Sequence, residues 1–184
     1  MKNRNRIIIA LFVIGLLCFG GFQFYYRSLN KQAEKNVTAT MSYETHDFST
    51  VTKYNSKYMG DASNIMNLLS SLPLMDVSRK IALDSDNFKL TINYQTTYTT
   101  ISASEQRGNL LYTGIASFVL IDNLKEISYH FEDVTFNIKR DKVVDYYKDL
   151  ATLKDPAKFK TVVQTPLKNK TIMSDLFKKF IIAE

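Results

Sequence analysis

The sequence predicts an α+β fold: a mainly antiparallel four-stranded sheet of two hairpins packed against helices, preceded by one N-terminal transmembrane helix. Three observations predict it. Apolar and polar residues alternate at 88–95 and again at 127–139, the period of strands with one buried face. Between them, Leu110, Leu111, Ile115, Phe118, Val119 and Leu120 form a strongly apolar helical pattern. Ahead of both, residues 7–26 carry no charge. Twenty helical residues at about 1.5 Å each reach roughly 30 Å, the thickness of a bilayer's hydrocarbon core.

The apolar run follows a basic stub, residues 1–6, with Lys2, Arg4 and Arg6. A cleaved signal peptide needs a core of about 7–15 apolar residues and small residues at the cut site. Here the core is longer, and Phe22, Phe24, Tyr25 and Tyr26 follow it. Those aromatic rings suit the membrane–water interface, so the run reads as an uncleaved signal anchor. Cys18 follows Leu17 rather than the small residue a lipoprotein signal would show; a lone cysteine in such a run packs as a small apolar side chain. Arg27, Lys31 and Lys35 balance the three cations of the stub. The stub also bears the terminal amine and no acid, which favours the N-terminus inside and the C-terminal part outside. The expected organisation is a cytoplasmic stub at 1–6, a single-pass anchor at 7–26, a polar stalk at 27–47 and an extracytoplasmic α+β domain at 48–184. The expected localisation is the cell membrane.

Within the domain the elements follow in order. Asp61 has the chemistry of a helix N-cap, with Ile65, Leu68, Leu69 and Leu72 behind it and Pro73 ending the run. Residues 79–83 form a short strand, 84–87 (Asp-Ser-Asp-Asn) a turn, and Phe88, Leu90, Ile92 and Tyr94 the inward side of the next strand. A Thr- and Ser-rich stretch leads to the central helix, where Gly114 and Ala116 leave room for a neighbour to approach closely. The second hairpin turns at Glu132 and Asp133. Asp141 is placed to cap a helix carrying Val143, Val144, Tyr147 and Leu150, and Asp155-Pro156 to open another. Finally Ile172, Met173, Leu176, Phe177, Phe180 and Ile181 line one stripe of an amphipathic helix expected to pack on the sheet.

Chemical signatures are sparse. His46 falls in the expected stalk. His130 lies on the polar side of a strand near Glu126, Glu132 and Asp133, a spacing that metal binding or proton relay can use and that an exposed strand face also produces. No HExxH pair, nucleophile elbow, phosphate loop or dinucleotide fingerprint occurs. Asp84, Asp86 and Asn87 lack the later bidentate Glu of a calcium loop, and a turn explains them. No pattern calls for a cofactor. The net charge is +6. Lys154, Lys158, Lys160, Lys168, Lys170, Lys178 and Lys179 contribute a basic region suited to solubility or to anionic lipids and envelope polymers. Those lysines are not interleaved with base-stacking aromatics, so nucleic acid is not an expected partner.

Three blocks in order carry a family resemblance: residues 58–64 (Tyr-Met-Gly-Asp-Ala-Ser-Asn) leading into 68–74 (Leu-Leu-Ser-Ser-Leu-Pro-Leu), residues 90–94 (Leu-Thr-Ile-Asn-Tyr), and residues 118–124 (Phe-Val-Leu-Ile-Asp-Asn-Leu) followed by a strand. Their order and spacing resemble the bacterial family called domain of unknown function 4825, over roughly residues 53–150. Met59 stands where the pattern favours a smaller aliphatic residue, and the chain after Leu150 lies beyond it. The resemblance implies an extracytoplasmic part of a membrane-anchored protein of Gram-positive bacteria, a kind of domain sometimes attached to sensor-type membrane peptidases. It assigns no catalytic residue. The turn at Gly60-Asp61 and the helix exit at Asp122-Asn123 are the candidate recognition loops.

The functional expectation is a non-enzymatic binding, sensor or accessory module, held in the lipid bilayer by its N-terminal helix and meeting a protein or cell-envelope partner. The alternatives are an envelope hydrolase using acids such as Glu126, Glu132 and Asp133, and a basic surface binder using the lysines of 154–179.

Overall fold

In the computed structural model, the described residues are 19–23, 25, 42–74, 77–98 and 103–184. The chain divides into two compact units, Met1–Thr40 and Met41–Glu184. In the first unit, residues 19–23 and 25 are helical, with Phe19, Phe22 and Tyr25 exposed. Among the described residues no helix is long and apolar enough to cross a membrane. This corrects the transmembrane helix in the expected fold: most of 7–26, and the expected stalk up to 41, lie outside the described residues.

The second unit opens with a 3-10 helix, Phe48–Tyr54, capped by the Asp47 side chain. Helix α1 spans Ala62–Leu69, and Asp61 accepts from the Asn64 amide at 3.0 Å, the expected cap. Strands β1 (Arg79–Asp84) and β2 (Lys89–Tyr94) form the first hairpin. Helix α2 (Ala103–Leu120) leads to the second hairpin, β3 (Glu126–His130) and β4 (Thr135–Lys139). Helix α3 (Arg140–Tyr147) follows without a break, with Lys139 at its N-cap position; Asp141 lies inside the first turn and does not cap it. A 3-10 turn, Ala151–Lys154, and helix α4 (Pro156–Phe159) come next; Asp155 caps α4 as expected, accepting from the Lys158 amide at 2.8 Å. A π-wound turn, Lys160–Gln164, helix α5 (Thr165–Leu167) and helix α6 (Lys170–Phe180) lead to strand β5, Ile181–Ala183.

The sheet differs from the expected one in two ways. It has five strands in the order β1-β2-β3-β4-β5, and it is mixed, because β2 and β3 run parallel. The parallel pair arises because α2 acts as a crossover: a helix between neighbouring strands returns the chain to the end where it started. Local alternation reveals each hairpin but not the direction in which the two meet. The fifth strand was hidden in the apolar stripe of the last helix. At Ile181 the backbone becomes extended and pairs with the free edge of β4, extended by reciprocal bonds between Glu184 and Thr135.

The register sorts the side chains. Leu83, Leu90, Ile127, Ile138 and Ile181 form one row on the core face, and Ile81, Ile92, Tyr129 and Phe136 the next. Helix α2 lies on this face: the Tyr129 hydroxyl donates to the Leu110 carbonyl at 3.1 Å. A Cβ on Gly114 would sit 3.1 Å from both Ile138 Cδ1 and Tyr129 Oη, so the glycine sets the helix–sheet distance. Phe177 of α6 meets Phe136 edge-on at 5.6 Å. The other face is polar. Thr91, Ser128 and Asn137 form its middle row, with Ser128 donating to Asn137 Oδ1. Asp84, Lys89, Glu126 and Lys139 form the row at one end.

The folded unit also begins earlier than 48. Tyr43 and His46, read from sequence as part of a polar stalk, are buried. The Tyr43 ring lies where a side chain on Gly108 would be, at 2.2 Å from an added Cβ.

Candidate functional site

The two candidate recognition loops lie together, joined by a short parallel bridge between Ser56 and Ile121. Ser56 donates to the Leu120 carbonyl at 2.8 Å and accepts from the Asp122 amide at 3.0 Å. Asn123 Oδ1 accepts from the Met59 amide at 2.7 Å. Asp122 pairs with Lys154 at 2.8 Å, and Asp61 caps α1. Gly60 is exposed, with only Ser85 Oγ near an added Cβ, at 3.8 Å. The polar groups of Asp61, Asp122 and Asn123 are therefore engaged within the protein. Two of the three sequence blocks meet here as a structural knot between the α1 entry and the α2 exit.

The candidate acids do not come together. Glu126 opens β3, while Glu132 and Asp133 lie in the turn beyond its far end. Six or seven residues of strand separate them by roughly 20 Å. Asp133 accepts from the Tyr98 amide at 2.6 Å, which fixes the turn. His130 stands opposite Asn93 and Thr135. Among the described residues no group of three His, Cys, Asp or Glu side chains is arranged to hold a metal. The basic region is spread over several elements between 154 and 179, with Lys154 engaged by Asp122 and Lys179 over the Tyr146 ring.

A cleft of about 800 Å³ opens at one end of the sheet. Its walls carry Lys89, Lys125, Lys139 and Arg140 beside Asp84, Glu126 and Asp141, with Val144 as an apolar patch. Glu126 binds Lys89 at 2.8 Å and reaches Lys139 at 3.9 Å. Both carboxylate oxygens of Asp84 accept from Asn87, which holds its carboxyl below the usual range. Arg140 Nη1 donates to the carbonyls of Phe118, Ile121 and Leu124 at 2.8, 3.0 and 3.3 Å, closing the C-terminus of α2. The Lys125 ammonium lies 4.6 Å from the centre of the Phe88 ring. Phe88 itself has a positive φ of 56°, a costly conformation for a bulky residue. Its carbonyl accepts from the Lys125 amide at 2.9 Å, and the Lys125 carbonyl accepts from the Arg140 amide at 2.8 Å. Sequence reasoning missed this cleft, because the polar ends of four strands form one row only once the register exists.

A second, smaller pocket of about 350 Å³ lies beside His46, with Glu44, Asp47, Lys160 and Lys168 around it. The His46 ring bridges the Tyr112 hydroxyl and the Ser71 carbonyl, both at 2.7 Å. With Nε2 donating to Ser71, Nδ1 accepts from Tyr112. Burial pushes the His46 pKa down, outweighing the opposing pull of the Ser71 carbonyl and Asp47. Gln164 from the π-wound turn donates to the carbonyls of Tyr43 and His46, and Asn109 accepts from the Tyr43 amide. The segment entering the folded unit is thus fastened to α2, to the end of α1 and to the C-terminal helices.

A family model described as "Domain of unknown function (DUF4825)" matches residues 51–144. That span includes the loops at 59 and 123, the first four strands and the whole wall of the cleft. Neither a curated protein nor a solved structure matches the chain.

Proposed function

The chain belongs to the DUF4825 family, and from that premise we propose that it is a membrane-tethered, extracytoplasmic binding module that receives its ligand in the cleft at the end of the sheet. The tether is supported by the uncharged run at 7–26 behind a basic stub. The binding role is carried by one observation: an open cleft of about 800 Å³ in which the cations Lys89, Lys125, Lys139 and Arg140 outnumber the carboxylates Asp84, Glu126 and Asp141. Pockets of this size with a few convergent polar groups are the usual form of ligand sites. The loops at 59 and 123 belong to the scaffold, since the Met59 amide donates to Asn123 Oδ1. The module acts by binding rather than turnover, and its partner is a component of the cell envelope.

The test is photo-crosslinking in intact cells, with a photoreactive side chain placed at position 139 in the cleft or at position 158 outside it. The expected result is a discrete adduct from position 139 alone. The same adducts from both positions, or none from 139, would refute the assignment. Protease added to intact cells should also digest residues 42–184; full protection would place the domain inside.

A further inference from the structure

Building on this binding-module reading, we propose that the cleft is an oxyanion site for a phosphate group, presented as a free phosphate ester or as the headgroup of an anionic phospholipid. The inference comes from matching the donors and acceptors around the cleft.

The acceptors are already engaged. Asp84 takes two bonds from Asn87. Glu126 holds Lys89 at 2.8 Å. Asp141 accepts from the Lys142 amide at 2.7 Å. The donors are not matched in the same way. Lys139 reaches Glu126 only at 3.9 Å, beyond hydrogen-bond range, and its side chain is 49% exposed. Lys125 faces an aromatic ring and has no carboxylate partner among the described residues. Arg140 is held through Nη1 and feels the Asp122 carboxylate, while its Nη2 and Nε make no hydrogen bond among the described residues. The unfilled bonding capacity of the cleft is therefore cationic, and it accepts an anion.

The shape of the donor set selects the class of anion. The donors come from two segments: Lys125 stands just before β3, and Lys139 and Arg140 are consecutive where β4 passes into α3. Both ammonium groups act as point charges, whereas the guanidinium offers a fixed planar edge. A carboxylate presents two oxygens in one plane. A phosphate presents oxygens in several directions and suits donors that converge from different walls. The backbone bonds from Phe88 to Lys125 and from Lys125 to Arg140 hold these walls in register before any ligand arrives. Val144 leaves room for an apolar portion of the ligand beside the charged one.

The test uses the full chain in a neutral, phosphate-free detergent, titrated with inorganic phosphate, glycerol 3-phosphate or acetate and read by calorimetry. Co-sedimentation of the full chain reconstituted in phosphatidylcholine vesicles, with or without phosphatidylglycerol in added vesicles, reads the headgroup arm. The double variant Lys125→Gln/Lys139→Gln is compared with Lys158→Gln/Lys168→Gln, all at exposed positions. The expected result is phosphate-selective binding, weakened tenfold or more by the first pair and less than twofold by the second. Binding by the soluble esters identifies a free ester as the source, and binding by phosphatidylglycerol vesicles alone identifies the headgroup. Equal binding of acetate, no binding in either arm, or an unchanged affinity in the Lys125/Lys139 variant would overturn the proposal. A cleft-specific crosslink from position 139 with silent phosphate arms would remove the phosphate assignment and leave the binding module standing. Loss of both would remove both.

Discussion

Replacing Asn123 by alanine separates a structural role for this loop from a recognition role. In the structure Asn123 Oδ1 is the acceptor for the Met59 amide at 2.7 Å, and the Met59 side chain is only 1% exposed. Alanine leaves that amide without its acceptor beside a buried side chain. An orphaned buried donor costs about 1–3 kcal/mol, and because the loop is partly accessible to water, about 2 kcal/mol is the expected loss. For a unit of this size that corresponds to a fall in Tm of roughly 4–8 °C. Asn123→Asp keeps an oxygen where the amide needs one, and at neutral pH it should lose less than about 0.5 kcal/mol. The chain has no tryptophan and eleven tyrosines, so near-ultraviolet circular dichroism of the tyrosines, with urea unfolding, gives both values. Alanine and aspartate variants that destabilise equally, or an alanine variant within about 0.5 kcal/mol of the parent, would refute the hydrogen-bond argument. The loop would then have to be examined as a ligand-contacting surface.

Three further outcomes follow from the core. The pKa of His46 is lowered from 6.5 in the folded state by burial, so the unfolded chain takes up a proton first as pH falls. Its contribution to stability is full above about pH 6.5 and declines below it, by up to about 1.4 kcal/mol per pH unit until the folded pKa is reached. His46→Gln should flatten the dependence of the urea midpoint on pH between about 7 and 5; parallel curves for both proteins would contradict this. Gly114→Val should destabilise by about 1–3 kcal/mol through overpacking against Ile138 and Tyr129, whereas Gly114→Ala should change little because about 1 kcal/mol of helix propensity opposes the crowding. Thermal unfolding of the two variants checks the contrast. Phe159 is fully buried, stacks on Phe48 with ring centres 3.7 Å apart and meets Tyr112 edge-on at 5.3 Å. Phe159→Ala should cost about 3–5 kcal/mol, and a urea midpoint near that of the parent would show that the C-terminal helices add little to the core.

Much of the local structure could be read from the residues alone. The caps at Asp61 and Asp155, the alternation in β2, β3 and β4, the turn at 84–87 and the inward stripe of α6 all follow from rules that reach only a few residues along the chain. The three blocks also marked the family, and two of them meet in the bond from the Met59 amide to Asn123. Three readings stopped at the limit of local information. Asp141 had the right chemistry for a cap but the wrong position, since β4 passes directly into α3 at Lys139. His46 looked like a stalk residue because its partners, Ser71 and Tyr112, lie 25 and 66 positions away. Gly60, Asp61, Asp122 and Asn123 stand out in the sequence as a turn and a helix exit, and only the structure shows how Asp61, Asp122 and Asn123 are engaged by other parts of the protein.

The sequence by itself determined the α+β class, the two hairpins, the buried central helix and the family. Tertiary structure alone decided that the hairpins join through a parallel pair, that Ile181–Ala183 leave a helical pattern to extend the sheet, and that Lys125, Lys139 and Arg140 share one cleft. The reason is physical. Periodicity and capping act within a turn or a strand, whereas strand direction, edge pairing and the meeting of charges at a sheet's end depend on how distant segments satisfy one another's backbone groups and bury their apolar faces together.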